Sequence, residues 1–156
     1  MNSRMLTPIF LICLIVLRAV PAIGQDTPEP TWGVETISSV TDSSGTVELR
    51  IHAEIPEGYH IYSIGYECPN GGPLAAKIGF TIDSALVKKS GALVAFQDVE
   101  IYDDIFECTI REFHGKAQFR QRFKVKSGKL KVKGTVDYQM CAPSGRCTLH
   151  TYTFEI

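Results

Sequence analysis

The chain has 156 residues, 16 Lys and Arg against 17 Asp and Glu, a formal net charge of −1 and a 44% hydrophobic composition. That near-neutral balance, with no basic stripe interleaved with aromatics, excludes a nucleic-acid-binding protein. Five cysteines in so short a chain make redox compartment the next question.

Residues 1–24 read as a secretory leader. Arg4 supplies the positive n-region, Leu6 to Leu17 an apolar run, and Ala22-Ile23-Gly24 the small residues of a cleavage site before Gln25. The run is too short to span a bilayer, and Cys13 lies inside it rather than after a small residue at its end, which argues against a lipid anchor. Residues 25–156 are therefore expected to form a single exported domain, periplasmic or secreted, with no membrane span. Loss of Arg4 and Arg18 with the leader takes the charge to about −3, and loss of Cys13 leaves Cys68, Cys108, Cys141 and Cys147. An even cysteine count in an exported chain is the disulfide-permissive case.

Beyond the leader the signal is a period of two. A strand is expected from Trp32 to Val40, then a turn cluster at Thr41-Asp42-Ser43-Ser44-Gly45. Val47, Leu49, Ile51, Ala53 and Ile55 next alternate with Thr46, Glu48, Arg50, His52 and Glu54, as in a half-buried strand. Further strands are expected at Tyr59 to Ile64, Lys77 to Ile82 and around Ile105 to Ile110, with a turn cluster at Pro69-Asn70-Gly71-Gly72-Pro73. Residues 83–104 carry a mixed pattern that predicts irregular structure or short strands. Ala117, Phe119, Phe123 and Val125 share one face with Gln121 as its polar exception, opposite Lys116, Gln118, Arg120, Arg122 and Lys124. The basic residues between Lys116 and Lys133 are thus a solvated strand face. A turn at Ser127-Gly128 predicts a hairpin to the next alternating run, Leu130 to Met140. After Cys147, Tyr152, Phe154 and Ile156 point inward. With eight or so short strands and no helical periodicity, the fold class expected is all-β, an antiparallel immunoglobulin-like β-sandwich, with a small barrel second.

The strand ending at Met140 runs into Cys141-Ala142-Pro143-Ser144-Gly145-Arg146-Cys147, a short-loop cysteine pair at a hairpin tip. A bridge closing so few residues stabilises by only about 2.4 kcal/mol in the chain-entropy model, against about 4 kcal/mol for a loop of about forty residues. That makes the pair a candidate for redox chemistry, although the residues themselves read equally as a rigidifying staple. Five residues separate these cysteines, so neither a thioredoxin-type Cys-x-x-Cys nor paired zinc ligands is present, and no metal site is assigned. Met140, Cys141, Cys147 and His150 form a softer set that a copper-handling protein would use. No nucleophile elbow or phosphate-binding glycine loop is found. A functional disulfide needs accessible sulfur, a positive neighbourhood, which Arg146 and His150 could supply, and protection when idle.

Three segments in order, Glu57-Gly58-Tyr59-His60-Ile61-Tyr62, Glu112-Phe113-His114-Gly115-Lys116 and the Cys141–Cys147 hairpin, resemble the N-terminal periplasmic domain of the thiol:disulfide interchange protein DsbD family, over about Trp32 to Ile156. The resemblance implies an immunoglobulin-like sandwich whose cysteine pair exchanges electrons without a cofactor. The donor would be a membrane-linked thioredoxin-like protein, and the clients periplasmic disulfide isomerases or other thiol–disulfide proteins. By position, Cys141 and Cys147 would be the redox pair, with Cys147 forming the mixed disulfide. Phe113 would be the tip of a cap loop completed by Glu112, His114 and Gly115, and His60 and Tyr62 would line the site. His60, near where the family usually has two tyrosines, and Arg111, where its best-known members have an acidic residue, are departures from that pattern. The chain's end at Ile156 implies a stand-alone carrier. Cys68 and Cys108 flank the inferred site and are expected to form a second, structural disulfide, with free thiols or a resolving role as alternatives. The other function classes carried forward are a redox-inert exported β-sandwich that binds a partner, and the copper-handling protein.

Overall fold

Strands whose side chains alternate apolar and polar bury one face only, so two layers of them closing on a shared core satisfy both. The computed structural model, which describes residues 28–38, 45–126 and 129–156, has that form. Its ten strands are β1 (Thr31–Ser38), β2 (Thr46–Glu54), β3 (His60–Tyr62), β4 (Lys77–Thr81), β5 (Val87–Ala95), β6 (Val99–Asp103), β7 (Cys108–His114), β8 (Lys116–Val125), β9 (Lys133–Cys141) and β10 (Cys147–Glu155). One sheet runs β1-β2-β8-β5; the other runs β10-β9-β3-β7-β6, with β4 also paired to β9. All pairings are antiparallel, and no helix occurs among the described residues. The all-β sandwich expected from the sequence is the fold observed.

Leu49, Ile51, Ala53, Phe119 and Phe123 from the first sheet meet Ile61, Phe113, Val136, Tyr138 and Met140 from the second in one core. The inward-facing Gln121 is buried, and its amide nitrogen donates to the Gly91 and Arg122 carbonyls at 3.2 and 2.9 Å.

Residues 83–104, where irregular structure or short strands are expected, hold two strands, β5 and β6. The register of β5 shifts between Ser90 and Val94, which erases its alternation, and β6 is an edge strand with little burial, so neither carries a period-two signal. Two expectations need correction. The strand expected around Ile105 to Ile110 begins at Cys108. The runs at 117–125 and 130–140 form no hairpin: β8 lies in the first sheet and β9 in the second. Each presents its apolar face to the other's sheet across the core, which buries both without edge-to-edge pairing. The leader, the turn residues 41–44 and the turn at 127–128 lie outside the described residues.

Candidate functional site: the Cys141–Cys147 hairpin

Residues 142–146 join β9 to β10, with Pro143, Ser144 and Gly145 at the tip of the turn. The Gly145 amide donates to the Ala142 carbonyl and the Ala142 amide to the Arg146 carbonyl, both at 2.9 Å. Proline presets the first corner, and the glycine takes φ +80°, which that turn requires at its last position. The hairpin register then sets Cys147 directly opposite Cys141; the two are disulfide-bonded with Cα atoms 4.0 Å apart. Their environments differ. Cys141 is 1% exposed, whereas Cys147 is open to solvent.

His60 of β3 pairs with Cys141 on one side and with His114 of β7 on the other. One row, Cys147–Cys141–His60–His114, therefore crosses four strands on the outer face of the second sheet. Glu112 stands on the same face one position away, paired with Tyr62, its side chain only 9% exposed. Its carboxylate lies 2.6 Å from His114 Nε2 and 3.6 Å from His60 Nε2, so two imidazoles share one covered acid. Burial pushes the His60 pKa below its ordinary value; Glu112 opposes that and His114 adds to it. Burial, reinforced by Glu112 and Asp103, pushes the Tyr62 hydroxyl up. The His60 and Tyr62 rings meet edge to face at 5.1 Å.

Cys141, Cys147, His60, Tyr62, Glu112 and His114 thus share one face. Phe113 does not. It is 0% exposed, paired with Ile61, its ring edge-on to Phe119 at 5.2 Å inside the core. The segment read as a cap loop is instead the end of β7, and Gly115 alone, at φ +70°, links β7 to β8 in the other sheet. Strand parity explains the difference: with Glu112 and His114 on the outer face, Phe113 must point inward. The same parity turns Arg111 from the sulfurs. Its guanidinium forks onto Asp98, Nε and Nη2 each 2.7 Å from a carboxylate oxygen.

The soft ligand set does not converge. Met140 is a core residue, and His150 lies on the opposite face of β10 from Cys147, stacked on Tyr138 at 5.3 Å. Cys68 and Cys108 are disulfide-bonded, Cα atoms 5.5 Å apart, and fall in an apolar cluster with Tyr62, Ile110 and Cys141, against which Tyr66 and Phe106 pack. Nothing in the sequence singled out Tyr66 or Phe106, since a lone aromatic in a loop carries no pattern. A groove of about 860 Å³ has a lining that includes Tyr66, Cys68, Pro73, Leu74, Gln139 and Leu149.

The site is thus a hairpin-tip disulfide with one cysteine exposed and the other covered, set beside ionisable groups on the outer face of a β-sandwich. Residues 32–156 match the family described as "Thiol:disulfide interchange protein DsbD, N-terminal", and the chain belongs to that family, which is periplasmic. Among solved structures, the N-terminal periplasmic domain of ScsB from Proteus mirabilis is similar at 15% identity and a TM-score of 0.55, over 85% of this chain and 47% of that one. This chain thus spans about half of that structure's length. The DsbD N-terminal domain of Neisseria meningitidis in its reduced form matches at 20% identity and a TM-score of 0.41, over 73% of this chain and 78% of that one. A complex between the DsbD N-terminal and PilB N-terminal domains of the same organism matches at 20% and 0.47, over 80% and 81%. No curated protein sequence matches the chain. No helix among the described residues is long and apolar enough to cross a membrane.

Proposed function

We propose that this protein passes reducing equivalents through the Cys141–Cys147 pair, accepting them from a membrane-linked thioredoxin-like donor and delivering them to periplasmic thiol–disulfide client proteins. The observation that carries this reading is the inequality of the two sulfurs: Cys147 is exposed and Cys141 is 1% exposed. A donor thiolate attacks Cys147 Sγ. The Cys141–Cys147 bond breaks, a donor–Cys147 disulfide forms, and Cys141 leaves with the electron pair and takes up a proton. The donor's second thiolate then attacks its own sulfur in the mixed disulfide and releases Cys147 as a thiolate, which takes up a proton from water. Two electrons have moved, the donor is oxidised and the pair is a dithiol; the reverse sequence reduces a client. No cofactor enters either half. The groove with the exposed Leu74 and Leu149 is lined by Gln139 and Leu149, each two residues along its strand from a cysteine of the pair, and offers a surface for the partner around its own active cysteine.

Equilibration of the purified protein against thiol–disulfide buffers tests this reading. A potential of roughly −180 to −270 mV, the span of known carriers, together with a partner covalently stalled on Cys147 in Cys141→Ala, is the expected result. A pair that stays oxidised well below about −300 mV is a staple, and the protein is then a redox-inert binding module.

A further inference from the structure

A sandwich sheet packs one face on the core and commonly leaves the other polar and wet. The outer face of the second sheet departs from this where Tyr62, Cys108, Ile110 and Cys141 are all under a tenth exposed. What lies over them is the connection between β3 and β4, together with Phe106 from the β6–β7 turn. The connection is rich in glycine and proline and contributes no strand, so side chains and single contacts have to hold it down. The Cys68–Cys108 disulfide ties it to the first residue of β7. A Cβ on Gly72 would lie 3.1 Å from Phe106 Cγ and 3.3 Å from Cys68 Cβ, so the backbone is pressed onto that ring. The Leu74 amide donates to Gln139 Oε1 at 2.6 Å, two residues before Cys141 on the same face of β9, and the Tyr66 hydroxyl to the Pro73 carbonyl at 3.2 Å.

We propose that the loop spanning residues 66–74, clamped by the Cys68–Cys108 disulfide and Phe106, is the cover that keeps the Cys141 sulfur from solution thiols and leaves Cys147 as the point of attack. This assigns to a stapled loop elsewhere in the chain the shielding expected of Phe113, and it rests on the exchange function proposed above. Cys68–Cys108 is then a positioning element for the chemistry at Cys141–Cys147. An opened cover exposes both sulfurs and removes the preference between them.

The test is the alkylation rate of each sulfur alone, by iodoacetamide with mass-spectrometric readout. Cys141 is read in Cys147→Ser protein and Cys147 in Cys141→Ser protein. Each background is compared with the same protein carrying Cys68→Ser/Cys108→Ser, and separately with Phe106→Ala, which keeps the staple covalently intact. Cys141 is expected to react about ten-fold faster or more in both comparisons while Cys147 changes by less than about two-fold. An unchanged Cys141 rate in both overturns the proposal. So does an equal acceleration of both sulfurs, because the staple then serves the stability of the whole domain. Alkylation involves no partner and no potential, so a staple-like potential would remove the exchange function without altering these rates.

Discussion

Replacing Phe113 by alanine separates a shield from a core residue. Its ring is 0% exposed, lies edge-on to Phe119 at 5.2 Å and sits in the row of Ile61 and Met140. Truncating a buried phenylalanine costs about 3–5 kcal/mol, of which the lost aromatic pair accounts for about 0.5–1.5 kcal/mol. Against a total stability of about 5–15 kcal/mol for a domain of this kind, the loss is large. At roughly 3–5 °C per kcal/mol for this size, Tm should fall by roughly 10–20 °C. Urea unfolding of the oxidised protein gives the stability change, and the reduction rate by dithiothreitol well below Tm gives the shielding. The expected outcome is a lower midpoint with an unchanged slope and a reduction rate that moves only as far as the population of opened molecules rises. A stability change below about 1 kcal/mol with many-fold faster reduction would refute the reasoning, because a loop-tip cap costs little to remove and a core ring does not.

His60 makes stability pH-dependent. With its pKa held below 6.5 by burial, the unfolded chain binds the proton more readily, so stability is full above about 6.5 and declines as pH falls toward the lowered value. Urea midpoints at about pH 7.5 and about pH 5 should show this decline, and His60→Gln should flatten it; equal slopes in both proteins would count against it. Asp98 has the opposite chemistry: hydrogen bonds from Arg111, then from Ser63, hold its carboxyl below 3.8 against the effect of burial, so its contribution is present above about 3.8 and lost as pH falls through the lowered value. Asp98→Ala should cost roughly 1–3 kcal/mol at neutral pH, and a denaturation midpoint within error of the parent would show that the fork contributes nothing. At Gly134 a Cβ would overlap the Phe154 ring and lie 2.8 Å from the Gly79 carbonyl oxygen, so Gly134→Ala should destabilise the β4–β9 pairing. Overpacking of this kind costs roughly 1–3 kcal/mol, measurable as faster amide exchange along β4; unchanged protection there would show that the strand yields freely.

Alternation was legible wherever a strand had one wet face and one dry one. The inward residues of β2 and β8, Gln121 included, could be read off, as could the Pro-Ser-Gly turn that brings Cys141 and Cys147 together. Those features rest on contacts within a strand or across a few residues. By contrast, β5 hides its period in a register shift, and β6 at the sheet's edge buries too little to show one. The mismatch at β8 and β9 has another origin. Consecutive amphipathic strands satisfy the same pattern whether they pair edge to edge or face each other across a core, and only the competing partners β2, β5, β3 and β10 decide between these.

By itself the sequence determined the period of each strand, the hairpin that closes the cysteine pair and the family to which they belong, because local geometry and residue identity suffice for these. Tertiary structure alone decided that His60 stands between Cys141 and His114 and that Phe113 faces the core. Each of those depends on register between strands far apart in the chain. A shift of one residue there would exchange the inner and outer faces and send Phe113 to the surface and Cys141 to the core.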